Sequence, residues 1–130
     1  CTFHDFSIEL EKQIPHHVIE YIEEPLLPSL LEDSDRIYEQ SRFSIAVDES
    51  LVFYLEHLKA GFSLPKNITA LVVKPTLLGG ISRTIQLIDI CNPRQLKCVL
   101  SSSFDSGLSI ATYTLLSQII KLKSAMGLDT

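Results

Sequence analysis

Charged and polar side chains recur at a regular interval along this sequence of 130 residues. Each follows an apolar stretch, and the first residues of the four groups are Glu23, Asp48, Lys74 and Ser101, at intervals of 25, 26 and 27 residues. An interval of this length fits one strand and one helix, so each group would stand at the C-terminal end of successive strands. Side chains at the C-terminal ends of parallel strands converge on one edge of a sheet, where α/β folds bind their ligands.

Glu23 and Asp48 are suited to bind a metal ion together. Two carboxylates at the same level of neighbouring strands repel each other, and a hard divalent cation removes that repulsion. Carboxylate oxygens completed by water suit Mg²⁺. The alternative is that both acids lie in loops that are exposed to water, and the spacing alone does not separate the two interpretations.

Lys74 follows four apolar residues and precedes a proline. A charge beside a buried strand is unfavourable unless something uses it. Next to a bound cation or an aromatic substrate, the ammonium group would act as acid, base or electrostatic partner. The alternative is a structural salt bridge to Asp48 or Glu49.

Two loops are suited to hold a carboxylate. In SSSFDSGLS, serine hydroxyls and Gly107 stand just before a helix, and free N–H groups at a helix start attract anions. In LLGG, Gly79 and Gly80 allow close backbone approach. Ordinary capping of the two helices is the alternative.

Strand-like and helix-like segments alternate around these residues. The pattern predicts helices over 7–14, 28–41, 50–61, 79–91 and 107–123, and strands over 17–24, 43–50, 68–75 and 96–103. In the last helix, one apolar face is predicted from Leu108, Ala111, Leu115, Ile119 and Leu122. Alternating strands and helices predict an α/β fold with a parallel sheet, formed by residues 1–130 as one domain. A complete (β/α)8 barrel needs about 200–250 residues, so this would be a partial barrel.

Composition argues against several classes of partner. The net charge is −5 and the isoelectric point is about 5.3, with no Lys/Arg cluster, so nucleic-acid binding is not expected. No apolar run approaches the roughly 18 residues of a membrane span. Cys1, Cys91 and Cys98 are odd in number and show no CxxC spacing, which predicts free thiols in a reducing cytoplasm.

Five motifs together resemble a known family: YIEEPL, IAVDES, VVKPTLLGG, LSSSFDSG and GLDT. In this order and spacing they are similar to the barrel of the o-succinylbenzoate synthases of the enolase superfamily. The resemblance implies the C-terminal portion of a modified (β/α)8 barrel, with the capping domain and the first strands absent. It also implies one Mg²⁺ as cofactor and a small carboxylate as substrate.

The resemblance assigns roles by position. Glu23 and Asp48 match the second and third metal ligands, and Lys74 matches a lysine that faces the substrate ring. Ser102 and Ser103 match the part of the pocket near the carboxylate-bearing side chain of the substrate. The implied reaction is a dehydration that forms o-succinylbenzoate for menaquinone synthesis, by abstraction of an α-proton and stabilisation of the resulting enediolate.

The family's Lys-x-Lys base and its first metal-binding aspartate have no counterpart in these residues. We therefore expect an N-terminal barrel and capping segment as a partner, and no turnover by the isolated chain. Two alternatives stay open, a racemase or epimerase of the same superfamily and a non-catalytic half-barrel module. The oligomeric state is also open.

Overall fold

Parallel strands alternate with helices along the chain. The computed structural model describes residues 3–26, 36, 42–61 and 64–128. Its four-stranded parallel sheet has the order β1, β2, β3, β4, with bounds Ile22–Glu23, Ile45–Val47, Ile68–Val73 and Lys97–Leu100. The helices of the described part are α1 (Phe3–Gln13), α2 (Leu51–Lys59), α3 (Pro75–Leu78), α4 (Ile81–Cys91) and α5 (Gly107–Ile119), with short 3₁₀ turns at His16–Val18 and Asn92–Arg94. The predicted α/β fold class is confirmed.

The chain divides into two compact units, Cys1–Ala70 and Leu71–Thr130, and the division falls within β3. The single partial domain expected over residues 1–130 stays a prediction. None of the described helices combines the length and the apolar character that a membrane crossing requires.

The core of the first unit lies around β2 and α2. All three residues of β2 are buried, as is usual for a parallel strand that is covered on both faces. Helix α2 buries Leu51, Tyr54 and Leu58, a spacing that places them on one helical face, whereas Val52 is 67% exposed.

The core of the second unit is formed by strand residues and by two helices. Helix α4 buries Thr84, Leu87, Ile88 and Cys91, again at helical spacing. Leu71 and Leu100 contribute fully buried side chains from the strands. The tail then returns to β4, where Gly127 forms a parallel bridge with Ser101.

Several predicted elements differ from the structure in extent, and one lies almost entirely outside the described residues. The strand predicted over 17–24 is reduced to Ile22–Glu23, because Pro15 begins a 3₁₀ turn in which the N–H of Val18 donates to the Pro15 carbonyl at 2.9 Å. The helix predicted over 28–41 lies outside the described residues except for Arg36, which is helical. Helix α3 was not predicted, although Pro75 at its first position is a common helix start.

The apolar face predicted for α5 exists, and it is exposed. Leu108, Leu115 and Ile119 are 80%, 57% and 69% exposed. The buried residues of α5 are Tyr113, Leu116 and Ser117. The spacing identified which residues share a face, but not which face packs on the core. The helix also ends at Ile119, four residues earlier than predicted, and a positive φ of 52° at Lys121 follows its end.

Candidate metal and substrate site

Two carboxylates follow the ends of neighbouring strands in the first unit. Glu23 is the last residue of β1 and pairs with Ala46 of β2, and Asp48 directly follows β2. Paired residues point to the same face of a sheet, and Asp48 stands two positions after Ala46 on that face. Glu23 is exposed and Asp48 is half-buried. The register is compatible with the predicted pairing of these two acids, and their pairing stays a prediction.

Glu24 links the two strand ends directly. One carboxylate oxygen, Oε2, accepts hydrogen bonds from the Asp48 N–H at 2.7 Å, the Ser50 N–H at 3.3 Å and the Ser50 hydroxyl at 2.9 Å. Ser50 precedes α2 as its N-cap residue, yet its side chain makes no capping bond. The hydroxyl that would usually cap the helix is donated to Glu24 instead.

Lys74 joins β3 to α3 in the second unit. It is half-buried and directly follows Val73, as predicted. Its carbonyl accepts from the Leu78 N–H at 3.0 Å, so the main chain of Lys74 forms part of the first turn of α3. Pro75 is buried behind it and fixes the φ angle at the start of that turn.

Gly79 and Gly80 form the turn between α3 and α4, and both have a positive φ angle. Their φ angles are 98° and 106°, a region that favours glycine. Both N–H groups donate to the Pro75 carbonyl, at 3.1 and 2.7 Å. The predicted role of these glycines in substrate binding is untested. Because both amides donate to Pro75, they are not available as hydrogen-bond donors to a substrate.

The serine loop after β4, residues 101–106, is held by Gly127 of the tail and by its own Asp105. The Ser101 hydroxyl donates to the Gly127 carbonyl at 3.0 Å, and the Ser102 N–H donates to the same oxygen at 3.3 Å. The Ser103 N–H donates to Oδ2 of Asp105 at 2.9 Å. Ser102 is buried and Ser103 is half-buried. The predicted substrate contacts of these two serines stay predictions.

Asp105 connects the serine loop with the first turn of α3. Its Oδ2 also accepts from the Thr76 hydroxyl, at 3.5 Å. Burial raises the pKa of the neighbouring Tyr113 phenol, and the negative charge of Asp105 raises it further. Tyr113 therefore stays protonated well into the alkaline range and can act as a hydrogen-bond donor.

A cavity of about 280 Å³ lies within the second unit, between the starts of α3 and α4 and the first turns of α5. Apolar and hydroxyl-bearing side chains line it together with one glycine. The lining residues are Pro75, Thr76, Gly80, Ile81, Leu108, Ser109, Thr112 and Tyr113. The sequence analysis singled out Gly80 but neither Thr76, although it lies in the VVKPTLLGG motif, nor Tyr113, which lies inside α5. The volume of the cavity is near the lower limit for small-molecule sites, about 300 Å³.

A complete metal site is not found in the described residues, where no three His, Cys, Asp or Glu side chains come together. Glu23 and Asp48 would supply oxygen ligands, the kind that Mg²⁺ prefers. Two protein ligands alone, however, are fewer than the three that a complete site of this kind would have. Further protein ligands would have to come from elsewhere.

Comparison with known proteins decides the family. Residues 5–125 match the family model described as Enolase C-terminal domain-like. The chain belongs to this family. The resemblance that the motifs indicated is thereby confirmed at the level of the superfamily.

The relatives of this enolase C-terminal domain-like chain include several o-succinylbenzoate synthases. It is 34% identical over 114 residues to that of Haemophilus influenzae, covering 86% of this chain and 32% of that protein. It is 31% identical over 114 residues to that of Aliivibrio fischeri, covering 86% of this chain and 33% of that protein. The chain thus spans about a third of the length of the curated relatives it matches.

Solved structures show the same enolase-superfamily fold. A dipeptide epimerase from Cytophaga hutchinsonii, complexed with Mg and the dipeptide D-Ala-L-Val, superposes with a TM-score of 0.76 at 19% identity, covering 98% of this chain and 34% of that one. MenC from Desulfotalea psychrophila gives a TM-score of 0.75 at 20% identity, covering 98% of this chain and 36% of that one. At these identities the likeness establishes the fold alone, and this chain covers about a third of each of the two structures.

Proposed function

We propose that this chain is the C-terminal barrel segment of a Mg²⁺-dependent o-succinylbenzoate synthase. The observation that carries the proposal is the 34% identity over 114 residues to the Haemophilus influenzae enzyme. The activity of the whole protein would be a dehydration that produces an aromatic dicarboxylate for menaquinone synthesis. The free thiols of Cys91 and Cys98 agree with a cytoplasmic location.

Glu23 and Asp48 would hold the metal ion in this proposal. Both offer carboxylate oxygens beyond the ends of paired parallel strands. When bound, Mg²⁺ supplies positive charge that neutralises the charge developing on the substrate carboxylate. The contribution of this chain is to keep the two ligands at neighbouring strand ends. The N-terminal segment expected as partner would supply the remaining ligand and the base.

Lys74 would hold a proton at Nζ opposite that base. Lys74 follows four buried apolar residues and is itself half-buried, and a charge in such surroundings acts more strongly than in water. Ser102, Ser103 and the Gly79–Gly80 turn would border the carboxylate-bearing side chain of the substrate. The cavity of about 280 Å³ that Tyr113 lines lies next to this turn, since Gly80 also lines that cavity.

A dipeptide epimerase is the alternative enzyme, but the likeness to solved epimerases rests on fold alone. A non-catalytic module is the other alternative, and the incomplete set of metal ligands in the described residues is the observation that favours it.

A chimaera tests the proposal. The segment of the Haemophilus influenzae enzyme that matches this chain would be replaced by residues 1–130, and both dehydration and dipeptide epimerisation would be assayed. Dehydration that is lost on Asp48→Ala and kept on Glu56→Ala supports the synthase. Epimerisation supports the alternative enzyme. A folded chimaera that catalyses neither reaction supports the non-catalytic module.

The isolated chain offers a second, simpler test. We expect Mg²⁺ binding in a calorimetric titration, and we expect Asp48→Ala to abolish it. Glu56→Ala is a matched control, because Glu56 is an exposed acid on α2 whose carboxylate binds Lys59 at 2.8 Å. Loss of binding in both variants would indicate nonspecific attraction of the cation by acidic residues.

A further inference from the structure

The hydrogen bonds between β1 and β2 continue beyond the strands through a side chain. The Ile22 N–H donates to the Ser44 carbonyl at 2.8 Å, and the Glu24 N–H donates to the Ala46 carbonyl at 2.9 Å. In a parallel pair the next bond would join the Asp48 N–H to the main-chain carbonyl of Glu24. That N–H donates instead to the Glu24 carboxylate, at 2.7 Å.

The same carboxylate oxygen fixes the turn on the other side of Asp48. It accepts both the N–H and the hydroxyl of Ser50, and the Asp48 carbonyl accepts from the Leu51 N–H at 2.9 Å. The main chain of Asp48 is therefore bonded at its nitrogen and at its oxygen. Only the side-chain torsions of Asp48 are left to set the position of its carboxylate.

A carboxylate fits this role better than any other side chain. All three groups that face Oε2 are donors, and an ionised carboxylate is an acceptor only. Its bonds to N–H groups are charge-assisted and stronger than those of an amide. The positive end of α2, which starts after Ser50, adds further attraction.

The backbone of Glu24 has an unfavourable conformation in this position. Its φ angle is 41°, a left-handed conformation that residues with a Cβ rarely adopt. Such conformations persist where surrounding contacts hold them, and they concentrate at functional sites. Here the contacts are the bond of its N–H to Ala46 and the three bonds of its carboxylate.

We propose that Glu24 is the positioning residue for the Asp48 carboxylate, and so for one ligand of the metal site. This inference rests on the proposed function, in which Asp48 binds Mg²⁺. In this inference Oε2 of Glu24 is not a metal ligand, because it accepts the three hydrogen bonds of the Asp48–Ser50 turn. Its neighbour Glu23 is the ligand from β1, and the two adjacent acids have different tasks.

The test compares variants of the 130-residue chain in Mg²⁺ titrations and in Mn²⁺ electron paramagnetic resonance spectra, which report the geometry of the ligands. Glu24→Gln keeps the shape and one acceptor oxygen but removes the charge. We expect it to weaken Mg²⁺ binding about 10- to 100-fold, as changes to groups that orient metal ligands usually do, and to broaden the Mn²⁺ spectrum. Glu56→Gln removes the same charge from α2 and should leave both readouts unchanged.

Ser50→Ala serves as a second variant if Glu24→Gln does not fold. It removes one of the three hydrogen bonds and leaves the Glu24 charge, so a smaller loss of affinity is expected. Thermal unfolding of each variant identifies a purely structural role, which would lower the melting temperature while the folded chain kept its Mg²⁺ affinity and Mn²⁺ spectrum.

The outcomes separate the inference from the proposed function. If the unaltered chain binds Mg²⁺ and folded Glu24→Gln or Ser50→Ala binds it equally well, Glu24 does not position Asp48. If the unaltered chain does not bind Mg²⁺ at all, the proposed metal site fails first, and the inference fails with it.

Discussion

Cys91 and Cys98 form a buried thiol pair in which each group changes the other. A hydrogen bond from Cys98 lowers the pKa of Cys91, burial opposes that shift, and the positive charge of Arg94 adds to it. The same hydrogen bond and burial raise the pKa of Cys98 strongly. The pair therefore keeps one proton in the folded chain at alkaline pH, at which both thiols of the unfolded chain have lost theirs.

This pair predicts a loss of stability at high pH. Cys98 has a raised pKa in the folded state, so its contribution is complete below the ordinary thiol pKa of about 8.5 and is lost as the pH rises above it. One retained proton lowers the folding constant by about tenfold per pH unit in that range. In urea titrations between pH 7 and pH 10, Cys91→Ala/Cys98→Ala should show a shallower decline. Equal slopes in both chains would contradict the assignment.

Glycine substitutions test the turn before α4. Gly80→Ala places a methyl group in open space but forces alanine into a φ of 106°. We expect a loss of about 1–3 kcal/mol in the free energy of unfolding, because the φ and ψ angles of Gly80, 106° and 178°, lie in a region that is essentially restricted to glycine. Gly107→Ala is the control, because Gly107 also has open space around it but no positive φ, and it begins α5. The control should be neutral or stabilising.

At the scale of elements, β2, β3, β4 and most helices were predicted from apolar runs and from the glycine, proline and capping residues at their ends. These strands are buried on both faces, so their sequence is uninterrupted and easy to find. The role of Glu24 could not be predicted, because its bonds to Asp48 and Ser50 span 24 and 26 residues and depend on a left-handed φ. The EEP motif indicated two acids at the end of β1 but not which of them faces the turn.

Helix α2 provides a direct test of the assigned core. Leu58→Ala should lower the free energy of unfolding by about 2–5 kcal/mol, because it removes a buried side chain and leaves a cavity. Val52→Ala, on the exposed face of the same helix, should change it by no more than about 0.5 kcal/mol. Urea denaturation followed by circular dichroism measures both. Similar losses would mean that α2 does not pack as described.

At the scale of the whole molecule, the exposed apolar residues of the second unit stand out. Phe104 is 97% exposed in a loop with a φ of 53°, and α5 exposes its leucine and isoleucine stripe. Exposed apolar surface of this kind favours association with other apolar surfaces. The sequence predicted the stripe, but a helical repeat contains no information about which neighbours cover it.

The stripe predicts self-association of the isolated chain. Leu115→Lys/Ile119→Lys should shift sedimentation-velocity profiles towards the monomer, because it places charge on the exposed face of α5. Gln86→Lys adds charge at an exposed position of another helix, α4, and it should have a smaller effect. A monomeric unaltered chain, or equal shifts in both variants, would show that the stripe does not drive association.

The return of the tail to β4 bears on how long the chain survives intact. The N–H of Gly127 donates to the Leu100 carbonyl at 2.9 Å, and its carbonyl accepts from Ser101 and Ser102. Lys121 and Lys123 are exposed just before this pairing, where a trypsin-like protease could cut. A single cut there would release the segment that covers this edge of β4. The exposed backbone groups of β4 could then pair with a strand from a second chain. Cleavage of the tail would therefore lead to aggregation.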